Sequence, residues 1–553
     1  MTPETFVLWW SGFKQSLRCR RILALCLAAI CAAVVAVGVP NLRYFGQDVF
    51  IALDGGWRVL NGQRPAVDFL ATMGPVWYLL WAGGMAVAGK SAIGLAWASG
   101  FAAVVIAAWS CLLLRRRMAP LPLFLACISL LLLASAPIPL GFSPWHTTFA
   151  MSYNRQGFAL IGLVLLECFL PESEYGDTFS RFGGGFSTGL ACAILLFLKI
   201  SYGIVGVAVA GLSVALRTND RRRMAGIAAG FLLAALPILT YLRFDVAALV
   251  RENRLLASVR GKLVNPRNIS RELLADKYEL APVLLTGLLT ILVAGIPARR
   301  RVMLGIACLT AAGAGTLLIL GNAQPSGLPL IAVTAVLLAN EITLLIRGGR
   351  IGAAQAAPLL CLALLSALLP VAVDVTGLGF AVADKAVHRR GGAHLNVPQL
   401  SSLAWFNDTT NPPELNENGD RIVGLIEEGM ALTRANSRPD ESVRGLAGTN
   451  PFSYAMMRPP SRGGAVSITD RKVSETVVPS LDTLFGDVDL ILVPKFLTTN
   501  TETLVIILRR YPELLGKKYR SVAESTHWLL YRRAPDTNQS ARPIRPEPSS
   551  STP

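Results

Sequence analysis

The chain has 553 residues, 53% of them hydrophobic and 16% charged, with a mean hydropathy of +0.49, whereas soluble proteins carry roughly 25% charged residues. Apolar runs recur from Ile22 to Asp374. Because about 20 apolar residues of helix cross a bilayer core, the fold class is a polytopic α-helical membrane protein; soluble domain arrays, collagen, coiled coils and general disorder are excluded. The formal charge of +17 comes largely from arginines clustered between apolar runs, as membrane topology demands, so no nucleic acid partner is expected. The nine cysteines all precede residue 362 without a C-x-x-C pair and read as small buried apolar side chains. Four histidines (His146, His388, His394, His527) without an H-E-x-x-H motif do not form a zinc signature.

Residues 1–21 read as a basic cytoplasmic N-terminus ending in Lys14, Arg18, Arg20 and Arg21. The apolar stretch 22–39 reads as a first span rather than a signal peptide, because no A-x-A site follows. Basic clusters recur at Arg115–Arg117, at Arg217 with Arg221–Arg223, at Arg299–Arg301, and at Arg347 with Arg350; the positive-inside rule places all of them in the cytoplasm. If both 75–89 and 92–114 crossed, Arg115–Arg117 would lie outside. The shorter, glycine-rich stretch 75–89 is therefore expected to be a juxtamembrane helix.

The remaining spans are placed at about 22–39, 92–114, 119–136, 156–170, 187–198, 200–216, 224–242, 279–296, 302–320, 328–346 and 354–374, roughly eleven crossings of a 22–383 membrane domain. The outer side then holds loops 40–91, 137–155 and 243–278, the last amphipathic and basic enough to lie along the membrane surface. A small extracytoplasmic α/β domain follows at 384–534. Its expected elements are a helix capped by Asp420 and running to Ala435, strands at Asp489–Val493 and Trp528–Tyr531, and a helix near Glu502–Arg510. Residues 535–553 read as a disordered tail. No G-x-x-x-x-G-K-[ST] supports ATP-driven transport.

The first outer loop is dense in aromatic, glycine and acidic residues. Asp48 follows the first span by nine residues, at the membrane surface where the headgroup of a lipid-linked substrate would arrive, and partial desolvation there favours a general base. An alternative is a helix N-cap. Asp54 reads as a turn or helix-surface residue, Asp68 as a brace of the loop, and Trp77, Tyr78 and Trp81 as an interfacial aromatic belt.

The series Asp48, Leu60–Gly62, Pro65, Asp68-Phe69 and Gly74-Pro75 resembles the first loop of the GT-C superfamily of polytopic glycosyltransferases, in particular the protein mannosyltransferase and aminoarabinose transferase type. The resemblance implies a bacterial inner-membrane enzyme, its active site and C-terminal domain on the periplasmic side, that moves a hexosyl or pentosyl group from a polyprenyl-phosphate-sugar donor to a glycan, lipid or protein acceptor. It implies that Asp48 is the catalytic residue, with Asp68 in a supporting role. It also admits a divalent cation, Mg or Mn. Many relatives carry a second acidic residue beside the first, where this chain has Val49, and another in the second outer loop, where it has Ser152–Gln156 without a carboxylate.

A departing lipid phosphate calls for fixed positive charge near the bilayer surface. Arg155, which opens the fourth span, and Lys199, at the tip of the 187–216 hairpin, are the candidates; snorkelling is the alternative for both. Asn154 and His146 are candidate contacts to donor or acceptor. The competing function is a lipid or polysaccharide transporter or flippase, or a non-catalytic membrane protein.

Overall fold

The computed structural model describes residues 17–171, 178–216, 220–260, 266–293, 296–322, 328–388, 391–407, 418–470, 472–496, 498 and 501–535. The expected tail from 536, the basic residues Arg217 and Lys262, and most of the polar turn after Gly321 lie outside them.

The membrane domain is helical: α1 (Leu17–Val37), α2 (Val49–Leu60), α3 (Pro75–Val87), α4 (Gly94–Leu114), α5 (Pro120–Ser135), α6 (Ser152–Phe169), α7 (Thr178–Leu198), α8 (Ile200–Leu216), α9 (Arg221–Tyr241), α10 (Val246–Arg260), α11 (Pro266–Ala275), α12 (Lys277–Leu292), α13 (Ala298–Asn322), α14 (Pro329–Arg347) and α15 (Ala353–Val387). Among the described residues, six helices are long and apolar enough to cross a membrane, and α3, α5, α8 and Ile22–Val37 of α1 are shorter apolar helices. The chain is a multi-pass membrane protein. α6 lies at its centre, buried from Tyr153 to Phe169.

Two elements differ from the sequence reading. The stretch expected as a short span at 187–198 is the end of a 21-residue helix, because Gly183–Gly185 are helical. Small residues explain its tight pairing with α9: a Cβ on Gly189 would overlap the Ile227 carbonyl, and one on Gly230 would overlap that of Phe186. The last apolar helix does not stop near 374 but runs 35 residues to Val387, about 52 Å at 1.5 Å per residue, so it outreaches a hydrocarbon core of roughly 30 Å. α3, with 13 residues, is about 20 Å long and too short to cross.

The arginine clusters do more than mark topology. One member of each of three clusters turns inward to the end of α6. Arg117 donates to Glu167 at 3.1 Å and to the Leu170 carbonyl at 2.9 Å, Arg223 also pairs with Glu167, and Arg300 donates to the Phe169 carbonyl and, at 3.0 Å, to Glu341. Guanidinium groups thus satisfy the orphan carbonyls and the negative dipole end of the central helix.

The C-terminal region is a four-stranded sheet in the order β1-β2-β4-β3, with β1 Val443–Gly445, β2 Leu490–Pro494, β3 Tyr519–Glu524 and β4 Trp528–Arg533. β1 and β2 are parallel and the other pairs antiparallel. Helix α16 (Gly419–Ala435) packs on it, the Trp528 indole donating to the Leu425 carbonyl at 2.8 Å. Its N-cap is Asn418, whose side chain accepts from the Asp420 N–H at 3.0 Å, so Asp420 is a first-turn residue and not the cap. The sheet domain shares one apolar core with α2 and α3, in which Trp57, Tyr78, Trp405, Phe452 and Trp528 are all buried.

Candidate functional site

The first loop is held from both sides. Leu42 exchanges backbone hydrogen bonds with Ala404 and Phe406 at 2.8 and 2.9 Å, and the Trp405 indole donates to the Gly46 carbonyl at 3.0 Å. A Cβ on Gly46 would stand 2.8 Å from that indole, so glycine is what lets the ring close over the turn. Asp48 ends the 3-10 turn Gly46–Asp48, donating its N–H to the Phe45 carbonyl at 3.0 Å, and is half-buried. It occupies the N-cap position of α2 but makes no side-chain capping hydrogen bond.

Beside this turn the loops 40–91 and 137–155 meet through aromatic rings. Tyr44 packs on Phe142 and His146 with centroids 4.9 Å apart in each case, and Phe45 packs edge-on against Phe142 at 6.0 Å. His146 Nδ1 is buried with no hydrogen-bond partner among the described residues. The structure thus brings His146 to the turn that carries Asp48.

Phe142 also lines a mostly apolar cavity of about 620 Å³ between α5, α6, α12, α14 and α15. Arg155, Asp374 and Glu279 are the charged residues of its lining. Arg155 is 3% exposed, donates to Asp374 and, at 3.4 Å, to the Leu132 carbonyl, and keeps a buried Nε without a partner. Sequence reasoning missed Asp374, because it stands where the apolar run was taken to end.

Lys199 is elsewhere. It sits between α7 and α8 with its ammonium 4.7 Å above the Tyr153 ring. Tyr153 and Arg155 are two residues apart, about 200° around the helix, so the two cations are reached from opposite faces of α6. Asn154 is fully buried, its Oδ1 accepting from the Tyr202 hydroxyl at 3.0 Å. The hairpin tip is fixed by the Gly74 N–H, which donates to the Leu198 carbonyl at 2.8 Å.

The remaining acids of the first loop are structural. Asp54 is not on a helix surface but completely buried, paired at 3.0 Å with Arg58, whose guanidinium reaches the Ser461 and Gly463 carbonyls of the sheet domain at 2.9 and 3.0 Å. Asp68 pairs with Arg64 at 2.8 Å and accepts from the Arg64 N–H at 2.7 Å; these hydrogen bonds hold its carboxyl below the usual range despite partial burial. It borders a polar cavity of about 1200 Å³ that includes Asn61 and Gly62, so Asp68 lies at the opposite end of α2 from Asp48. Trp77, Tyr78 and Trp81 do not form an interfacial belt: all three are buried, stacked edge-on at 5.0 and 5.7 Å, because Gly55 and Gly56 let α3 close onto α2.

Among the described residues no three His, Cys, Asp or Glu side chains gather as a metal-binding group, and the residue after Asp48 is the apolar Val49. Hard divalent cations want several oxygen ligands. These residues do not fit such a cage.

No protein-family model and no curated sequence matches the chain. Among solved structures it is similar to ArnT from Cupriavidus metallidurans in the apo state, at 13% identity and a TM-score of 0.47, covering 92% of this chain and 97% of that one. The same holds for that protein bound to undecaprenyl phosphate, at 12% identity and 0.47. The archaeal oligosaccharyltransferase AglB from Archaeoglobus fulgidus, in complex with an inhibitory peptide and a dolichol-phosphate, is similar at 14% identity and 0.33, covering 87% of this chain and 70% of that one.

Proposed function

We propose that the protein is a glycosyltransferase that moves a hexosyl or pentosyl group from a polyprenyl-phosphate-linked donor to a glycan, lipid or protein acceptor on the outer face of a bacterial inner membrane. The observation that carries this reading is continuity. The apolar cavity has Arg155 in its wall, and Phe142 at its rim packs against the aromatic turn that leads to Asp48. A prenyl chain suits such a lining, a guanidinium suits the phosphate, and the sugar would extend toward Tyr44, His146 and Asp48.

In the reaction the acceptor oxygen attacks the anomeric carbon, the bond from that carbon to the phosphate oxygen breaks, and polyprenyl phosphate leaves with the electron pair. Asp48 takes the acceptor proton. Arg155 stabilises the charge on the leaving phosphate, while Lys199, on the other face of α6, steadies Tyr153 and the loop ahead of Asn154. Asp68 braces the loop.

The test is turnover by purified protein in detergent, across a panel of polyprenyl-phosphate sugars and acceptors, read as release of free polyprenyl phosphate. Asp48→Asn should lower the rate by about 10²–10⁴-fold, the usual cost of losing a general base, with the protein still folded. Wild-type protein that binds the lipid but never releases it would favour a transporter or flippase.

A further inference from the structure

Arg155 and Asp374 pair in the wall of a mostly apolar cavity, and both are buried. Their charges cancel. Arg155 also has a buried Nε with no partner, so Asp374 does not satisfy the whole guanidinium. Charge is the obstacle. A phosphodiester brought to this wall would leave one net negative charge among apolar side chains, and an uncompensated buried charge is costly enough that a titratable neighbour neutralises instead.

We infer that Asp374 is the exchangeable partner of Arg155, holding the guanidinium while no lipid phosphate is bound and taking up one proton when the phosphate replaces it. The inference rests on the reading of this cavity as the donor site. The balance is simple: the lipid anion and one solvent proton enter together, the Arg155–Asp374 pair becomes an Arg155–phosphate pair, and Asp374 remains as a neutral acid. Donor entry is thereby linked to pH. Release of the lipid returns the proton.

The other groups near Asp374 come from each element around it. α12 presents Glu279, which accepts from the Leu328 N–H at 3.1 Å, and Tyr278, with Lys277 over its ring. The loop 137–155 lines the cavity with the uncharged stretch Ile138 to Phe142, and α14 with Pro329, Ile331 and Ala332. On its own helix the next charge is Asp384, occupied by Arg43. α1 and α5 contribute to this region only apolar and hydroxyl side chains, among them Val34, Val37, Leu133 and Ser135. Asp374 is the group in direct contact with Arg155, and is therefore the one whose charge must change.

The experiment uses the full-length protein in detergent and a prenyl methyl phosphodiester, which carries one negative charge at every pH used. Calorimetry at pH 7.5 in two buffers of different ionisation enthalpy should show close to one proton taken up per lipid bound, and affinity should rise up to about tenfold for each unit of falling pH. Asp374→Asn should abolish the uptake and bind at least about tenfold tighter at pH 7.5, while Glu279→Gln should keep it. No uptake by the wild type overturns the inference, and so does an unchanged uptake in Asp374→Asn or a lost one in Glu279→Gln. If Asp374→Asn does not fold, the wild-type uptake and the Glu279→Gln control decide. Arg155→Gln separates the two ideas: if it loses affinity tenfold or more while uptake fails, the cavity is the donor site and only the exchange is wrong. If Arg155→Gln binds like wild type, the donor-site reading itself fails.

Discussion

Arg43 grips Asp384 with two hydrogen bonds, at 2.6 and 3.0 Å, across 341 residues of sequence. The pair ties the start of the loop 40–91 to the far end of α15, and it is reinforced by Asn41 at 2.9 Å and by His388 at 2.9 Å. Asp374, Gly377, Leu378, Ala381 and Asp384 all lie buried on one face of α15, so a single helical stripe carries one aspartate for Arg155 and another for Arg43. The loop that bears Asp48 is positioned by the second of these.

Burial pushes the Asp384 carboxyl up, but hydrogen bonds from Arg43, Asn41 and His388 and the Arg43 charge outweigh it and hold the group below its ordinary value. A depressed acid contributes stability that is present above the unfolded value of about 3.9 and is lost as pH falls through the lower folded value. Asp384→Asn should therefore cost about 1–3 kcal/mol at neutral pH. Thermal unfolding in detergent should show the gap between variant and wild type closing below about pH 4. A gap that stayed constant down to pH 3 would mean that shape, and not charge, is what the carboxylate supplies.

The apolar helices, the non-crossing α3 and the polar C-terminal domain were legible because hydropathy and arginine placement are local signals. The 3.6-residue stripe from Asp374 to Asp384 was also in the sequence, yet a hydropathy reading stops at the first buried acid and so ended the helix a few turns early. Partner choice is not local. Arg117, Arg223 and Arg300 look like their cluster neighbours, and only the packed position of α6 selects which one turns inward. Asp54 reads from the sequence as a turn or helix-surface residue, because its burial with Arg58 depends on the sheet domain more than 400 residues away.

Gly74 offers a test of how the first loop meets the hairpin. A Cβ there would overlap the Phe197 carbonyl, a backbone atom that cannot swing aside. Gly74→Ala should destabilise the protein by about 1–3 kcal/mol, as overpacking does. Gly83, exposed on the other side of α3 with nothing near its absent Cβ, is the control: Gly83→Ala should be neutral or should stabilise by up to about 1 kcal/mol. Equal effects at the two sites would show that helix propensity alone governs both.

Glu167 separates stability from chemistry. It is buried, receives Arg117 and Arg223, and also accepts from Thr188 at 2.7 Å, at the end of α6 remote from Asn154 and Arg155. Glu167→Gln leaves the buried Arg223 and the half-buried Arg117 short of their counter-charge and should cost about 3–5 kcal/mol. Turnover per folded molecule should stay within about twofold of wild type, in contrast to the loss expected for Asp48→Asn. A large fall in turnover at unchanged stability would move function to the arginine end of the bundle.

The final prediction concerns which end of the bundle faces which side. Arg116 lies exposed in the cluster whose neighbour Arg117 holds the end of α6, while Arg438 is 76% exposed in the sheet domain, which packs on the first outer loop. α6 runs from Ser152, beside the loops 40–91 and 137–155, to Phe169, just past Glu167, so these two arginines mark opposite ends of the same central helix. Counting α5 to α9 and α12 to α15 as crossings separates them by an odd number of spans. Single cysteines in a cysteine-free background should then react with an impermeant maleimide from opposite sides, Arg116→Cys only from the cytoplasm and Arg438→Cys only from outside. Labelling of both from one side would make the number of crossings between them even, and one of the helices α5 to α15 counted as a span would have to lie in the interface, as α3 does.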